Sequence, residues 1–166
     1  MYTYMARRAG ASGGALAAAV TAAGGFGFLA AGQFVHNRYP AKEPMGYGAG
    51  YDGAQSLENE LRTAQSALRP QSSISIPVGV GYLGWQLEKR DSPAVGLLSM
   101  ALEAHVKAVW FAFGSDLGRW VEFVRNHDRK ADSGHKTLVF AQISTAEEAQ
   151  QAISEWQVDV LVAQGL

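Results

Sequence analysis

Ala108-Val109-Trp110-Phe111-Ala112-Phe113-Gly114 is six apolar residues closed by a glycine, and its texture decides the fold class. A strand with one wet face alternates apolar and polar residues. A near-continuous apolar run of strand length fits a strand covered on both faces, as in a parallel sheet flanked by helices. Outward from it, the same texture returns at Phe26–Gly32 and Ile76–Leu83 on the amino-terminal side. It returns again at Lys136–Ile143 and Asp159–Gly165 on the carboxyl-terminal side. Glycine lies within or after most of these runs, marking tight strand-to-helix turns rather than a polar, disordered tract.

The segments between the runs have helical spacing. Ser12–Ala23 is alanine-rich behind a Ser12 cap, and Ser56–Leu68 places Leu57, Leu61, Ala64 and Leu68 on one face. Ser92–Val106 opens with Ser-Pro and carries Leu97, Leu98, Ala101 and Leu102, while Leu117–Asn126 supplies Trp120, Val121 and Val124. Ser144–Trp156 opens with Ser-Thr-Ala-Glu, the signature of a capped helix start. From the third run onward the strands recur at about thirty residues, the length of one strand, one turn and one returning helix. Parallel βα repetition of this kind leaves an open doubly wound sheet or a (β/α)₈ barrel, and periodicity does not separate the two.

The chain has 166 residues, against about 250 for a complete (β/α)₈ barrel, so one domain or part of one is expected. Fourteen Lys and Arg face fifteen Asp and Glu, a net charge of −1, which provides no field to gather nucleic acid or an acidic membrane. Neither partner is expected. Cysteine is absent, removing disulfides, thiolate metal sites and cysteine nucleophiles. Arg7 and Arg8 followed by the uncharged stretch from Ala9 to Gln33 superficially resemble a leader or membrane span. That stretch is mainly Ala and Gly and is interrupted by Gly24-Gly25, so a buried helix followed by a buried strand explains it better. A long aromatic and glycine-rich insert, 34–52, follows the first complete strand. In either architecture it hangs over the carboxyl ends of the strands, where ligands bind.

Gly25-Phe26-Gly27-Phe28-Leu29-Ala30 satisfies the dinucleotide pattern Gly-x-Gly-x-x-Ala, but these glycines leave a helix and enter a strand, the reverse of the phosphate-binding order. Close helix-to-strand packing is the expected role. Polar residues that close apolar strands are more informative, and Gln142 and Gln164 hold that position. A glutamine amide both donates and accepts, so it can pair with the carbonyl and ring-nitrogen edge of an isoalloxazine without adding charge. The alternative is a strand-end residue bonding neighbouring backbone. Asp116, Glu88 and Asp91 also follow strands, where Asp116 can cap the next helix and the other two can be solvated. His36, His105, His127 and His135 show no metal spacing and no partner nucleophile. His36, in the long insert, is the one placed to reach a substrate, and the others read as surface residues near a helix end or a polar loop 126–134.

Five ordered motifs carry a family resemblance. They are Gly13-Gly14-Ala15-Leu16-Ala17-Ala18-Ala19-Val20 with Ala23-Gly24-Gly25-Phe26-Gly27-Phe28; Pro77-Val78-Gly79-Val80-Gly81-Tyr82 with Gly84-Trp85-Gln86-Leu87; Val109-Trp110-Phe111-Ala112-Phe113-Gly114; Phe140-Ala141-Gln142; and Asp159-Val160-Leu161-Val162-Ala163-Gln164-Gly165. In this order and spacing the chain resembles the nitronate monooxygenases, or 2-nitropropane dioxygenase-like enzymes, of the fungal type, over nearly its whole length. The resemblance implies a single incomplete FMN-dependent TIM-barrel domain over 1–166. It implies a cytoplasmic flavoprotein oxidising alkyl nitronates, or a related small metabolite of secondary metabolism, with dioxygen. Gln142, Gln164 and Gly165 are the implied cofactor-binding residues, with no metal. The family opens with a complete strand ending in Ala-Pro-Met, where only Tyr4-Met5-Ala6-Arg7 stands here. It follows Gln-Gly with Glu-Ala-Gly-Gly-His, whose histidine is the catalytic base, so that base is expected beyond Leu166 and no catalytic residue is assigned within the chain. A related flavin-dependent enoyl reductase, or a non-catalytic half-barrel that pairs with another chain, are the alternatives.

Overall fold

A computed structural model describes residues 13–31, 53–68, 75–131 and 134–164. The insert 34–52 with His36, the leader-like Arg7 and Arg8, the Tyr4–Arg7 stretch, Ser12 and Gly165 lie outside the described residues. In chain order the elements are α1 (Gly14–Ala22), β1 (Phe28–Ala30), α2 (Ala54–Leu68), β2 (Ile76–Leu83), α3 (Gly84–Leu87) and α4 (Ala94–Glu103). Then come β3 (Val106–Ala112), α5 (Leu117–Ala131), β4 (Leu138–Ile143), α6 (Ala146–Ser154) and β5 (Val160–Ala163).

The five described strands form one sheet in the order β1-β2-β3-β4-β5, and every neighbouring pair is parallel. Each crossover therefore steps the same way across the sheet. Because such crossovers are right-handed, stepping one way throughout puts the helices on one face. The side chains follow suit. Leu29, Val78, Val80, Tyr82, Val109, Phe111 and Val139 point to that face and join one apolar cluster with Leu57, Leu61, Leu98, Leu102, Trp120 and Val124 of the helices. The alternate residues Phe28, Ala108, Trp110, Ala112 and Phe140 form a second cluster on the opposite face, joined by Phe26, Leu138, Val160 and Val162. This is an α/β fold compatible with part of a barrel. Among the described strands the order never reverses, so the switch point of a doubly wound sheet is not found in them.

Several glycines are fixed by close approach. A Cβ on Gly27 would lie 1.9 Å from the Ala17 carbonyl oxygen, and the Gly27 amide donates to Thr21 Oγ1 at 3.1 Å. The Gly-x-Gly-x-x-Ala stretch thus packs α1 onto the sheet, as its order in the chain implies. On the inner face a Cβ on Gly79 would meet the Phe28 ring at 2.2 Å, so β2 yields its volume to that ring.

Element boundaries depart from the sequence reading in interpretable ways. β3 starts and ends two residues earlier than the run 108–114, because Phe113 adopts φ 58° and breaks the extended chain. α4 ends at Glu103, short of Val106, because His105 has φ 53°. The stretch 126–131, read as polar loop, is the last part of α5, with Arg129 and Lys130 exposed and Asp128 turned to the Thr137 amide and hydroxyl. Gly13 is the N-cap residue of α1, and α2 begins two residues before Ser56. At α4, Pro93 is the cap residue and Ser92 Oγ accepts from the Ala94 amide at 3.2 Å. Thr145 and Glu148 complete the capping box anticipated for α6. The single turn α3 had no periodic signal to reveal it.

Candidate functional site

The inner face of the sheet changes character along the strands. Toward their amino ends it is aromatic: Phe28 meets Trp110 edge-on at 5.3 Å and Phe140 at 5.1 Å between ring centroids, and Phe26 lies 5.2 Å from Phe28. Edge-to-face pairs at these spacings add about 0.5–1.5 kcal/mol each beyond the area they bury. Ala30 and Gly81 lie in register with Trp110 and Phe140, and the next layer toward the carboxyl ends is Leu83, Ala112, Gln142 and Val162, with Gln164 beyond it.

Gln142 is 6% exposed and follows Phe140 on the inner face, while Gln164 follows Val162 on the next strand. Their side chains meet: Gln142 Nε2 donates to Gln164 Oε1 at 2.5 Å. Separately, the Gln164 main-chain N–H donates to the Ile143 carbonyl at 3.0 Å, continuing the pairing of the two strands. Two residues chosen from sequence for their strand-end positions therefore form one amide pair. Gly165, the third, lies outside the described residues.

The carboxylates after the strands are structural. Asp116 Oδ1 accepts from the Arg119 amide at 3.2 Å and caps α5. Glu88 is solvent-exposed, as expected, and its carboxylate also accepts from the Ser115 amide (2.8 Å), the Ser115 hydroxyl (2.9 Å) and the Asp116 amide (3.0 Å). It ties the loop after α3 to the loop after β3. Sequence reasoning missed this clamp, because a tie between residues 27 apart leaves no local signal. Asp91 is exposed.

The histidines also differ from their expected surface placement. His105 and His135 are partly buried at the amino ends of β3 and β4, with rings 5.3 Å apart and edge to face, and His135 Nε2 lies 3.1 Å from the Val106 carbonyl oxygen. His127 lies within α5. Among the described residues no group of three or more histidines and carboxylates is placed to hold a metal ion. Nor does any described helix have the length and apolarity to cross a membrane.

Two ionisable groups are perturbed, both away from the amide pair. Tyr82 is buried against α4, where its hydroxyl donates to the Leu97 carbonyl at 3.0 Å, and burial pushes the phenol upward, so it stays protonated. Burial would also raise the Asp159 carboxyl. Hydrogen bonds from Lys136 Nζ (2.8 Å), Arg125 (2.6 Å) and the Val139 amide (2.8 Å), with the guanidinium charge, outweigh it and hold the group below the usual carboxylate range. A groove of about 850 Å³ runs along α5 past Arg119, Glu122, Arg125 and Trp156 on the helical side. Its charges are of both signs, and the sheet separates it from Gln142 and Gln164.

The chain matches no protein-family model and no curated protein.

Proposed function

We propose that this chain is an FMN-dependent oxidoreductase of the nitronate monooxygenase type, folded as part of a (β/α)₈ barrel and acting in the cytoplasm on an alkyl nitronate or related small metabolite with dioxygen. The observation that carries the reading is the Gln142–Gln164 pair, two neutral amides joined at the carboxyl end of a largely apolar face. Sequential parallel strands with helices on one side support the barrel, since that arrangement turns the other face toward a shared interior.

The residues present fit a flavin at this place. Amide side chains can pair with its carbonyl and ring-nitrogen edge. FMN, when bound, supplies the electron-accepting chemistry. Gln142 and Gln164, with Gly165, would hold it. The main-chain bond from Gln164 to Ile143 holds the backbone that carries the second amide, and the aromatic wall of Phe28, Trp110 and Phe140 keeps water from the floor of the site. No catalytic base is assigned within these 166 residues.

The test is to titrate the purified chain with FMN and follow flavin absorbance and fluorescence, then measure nitronate-dependent oxygen uptake. Saturable FMN binding, weakened about tenfold by Gln142→Ala, is expected from loss of about one hydrogen bond to the ring edge. A chain that takes up no flavin sinks the reading. A second reading, a half-barrel that pairs with another chain, is favoured by β5, whose residues are only partly buried while those of β3 are almost all buried. Its mark is a defined higher-order mass in light scattering without flavin uptake.

A further inference from the structure

β2 carries two glycines on the face that the helices leave uncovered, and packing accounts for one of them. Val78, Val80 and Tyr82 turn to the helices, so the alternate positions Gly79 and Gly81 present their Cα atoms to the opposite face. Gly79 is buried, and a Cβ there would meet the Phe28 ring at 2.2 Å. Gly81 is partly exposed. Among the described residues a Cβ on it would find only the Leu29 carbonyl oxygen, at 3.6 Å, which is an ordinary contact.

A glycine inside a strand weakens it, and the structural reasons to keep one there are a bulge or bend, a left-handed backbone, or the close approach of another backbone. None applies at Gly81. The register of β2 on β3 runs unbroken from Gly79 to Leu83, its irregularity lying between Ile76 and Gly79. The positive φ values among the described glycines belong to Gly24 and Gly134. The nearest backbone atom leaves room for a methyl. The remaining reason is the approach of a ligand to the strand.

Access to this backbone has a direction. Gly81 pairs with Ala30 on one side and Trp110 on the other, while Val80 and Tyr82 are buried toward the helices, so its exposure opens through the helix-free face. The positions around it on that face are apolar: Ala30 and Trp110 in its own layer, Phe28 one layer toward the amino ends and Leu83 one layer toward the carboxyl ends. Gln142 stands two strands and one layer away, about 12 Å between Cα atoms from the usual strand and residue spacings.

We propose that Gly81 is the floor of an apolar subsite in which the alkyl group of the substrate lies against the β2 backbone, on the same face as the flavin edge that Gln142 and Gln164 would hold. The inference rests on the proposed function for its substrate class. It gives the hydrocarbon part of the substrate a place of its own, which two neutral amides cannot provide.

The experiment uses the whole chain with 1-nitrobutane and nitromethane as probes, binding being followed by ligand-observed NMR with and without added FMN. The probes share a polar head and differ in their alkyl group. Wild type is expected to bind 1-nitrobutane about tenfold more tightly. Gly81→Val should abolish that preference and Gly81→Ala reduce it, with nitromethane binding unchanged in both. Because Gly81 has room for a methyl, Gly81→Ala is expected to melt no lower than wild type, whereas Gly79→Ala, which meets the Phe28 ring, melts lower. Should Gly81→Val not fold, Gly81→Ala carries the comparison alone. Three results overturn the proposal: no preference for 1-nitrobutane in wild type under either condition, an unchanged preference in Gly81→Ala, or a Gly81→Ala variant that melts well below wild type, which would make the glycine a requirement of the fold. Flavin uptake is read separately by absorbance. A preference without FMN uptake removes the flavoprotein reading and leaves the subsite standing, while FMN uptake without the preference removes the subsite alone.

Discussion

Asp159 gathers Arg125, Lys136 and the Val139 amide on one carboxylate at the start of β5, and its lowered pKa makes that arrangement visible to pH. A carboxyl with a depressed native pKa adds stability that is fully present above its unfolded value of about 3.9, and that is lost as pH falls through the lower native value. Asp159→Asn should therefore lower the urea midpoint near neutrality, and the gap between variant and wild type should narrow as pH falls below about 4. A gap that stays constant through acid would show that the charge is not what holds the site. Packing gives a second prediction at this scale. A methyl on Gly27 would meet the Ala17 carbonyl at 1.9 Å, a backbone atom that cannot turn aside, so Gly27→Ala should lose about 2–3 kcal/mol in chemical denaturation. Gly27 could be read from sequence as a packing glycine because the order helix, glycine, strand excludes the phosphate turn. Asp159 could not, because its partners come from α5 and from the residues entering β4.

α5 shows what binds a helix to this sheet beyond its apolar stripe. Trp120, Val121 and Val124 bury its inner face, and the Arg119 guanidinium lies over the Trp120 ring at 5.1 Å from its centroid. Arg125 then reaches the Thr137 carbonyl at 2.8 Å, the Gln157 carbonyl at 3.3 Å and Asp159, while Asp128 accepts from the Thr137 amide and hydroxyl. One turn of helix thereby fixes the entrances to two strands. Arg125→Lys keeps the charge but not the fork, so it should raise hydrogen exchange at the amides of β5 nearly as much as Arg125→Ala. Full protection in the lysine variant would show that charge alone suffices. The helix was legible as far as its apolar residues ran. Its last turn was not, because Asn126-His127-Asp128-Arg129-Lys130 is as polar as a loop, and only the packing of Val124 and the anchoring role of Arg125 and Asp128 keep it helical. β3 was displaced for a related reason: Phe113 extends the apolar run in composition while its backbone ends the strand.

At the scale of the whole molecule, apolar runs about thirty residues apart announced a parallel α/β sheet but not the direction of each crossover, which is fixed by how each helix returns across the strands. That direction decides everything about the site. Had one crossover reversed, helices would cover both faces. Because the order of the described strands runs straight through, Phe28, Trp110, Phe140, Gln142 and Gln164 share a face that the helices do not cover. The glutamines were legible because a polar residue ending an apolar strand is conspicuous, whereas their mutual hydrogen bond depends on a register that sequence does not encode locally. The same arrangement makes ligand binding a global stability test. A ligand that binds only the folded chain at this face stabilises it by RT ln(1 + [L]/Kd), about 2.7 kcal/mol at a hundredfold excess over Kd, or roughly 5–10 °C in melting temperature for a domain of this size. FMN at that excess should produce the shift in wild type and a smaller one in Gln142→Ala at the same concentration. Asp159→Asn should show the full shift from a lower starting point, because its site lies at the amino ends of the strands and leaves the amide pair untouched. Equal shifts in wild type and Gln142→Ala would place the flavin elsewhere on the molecule.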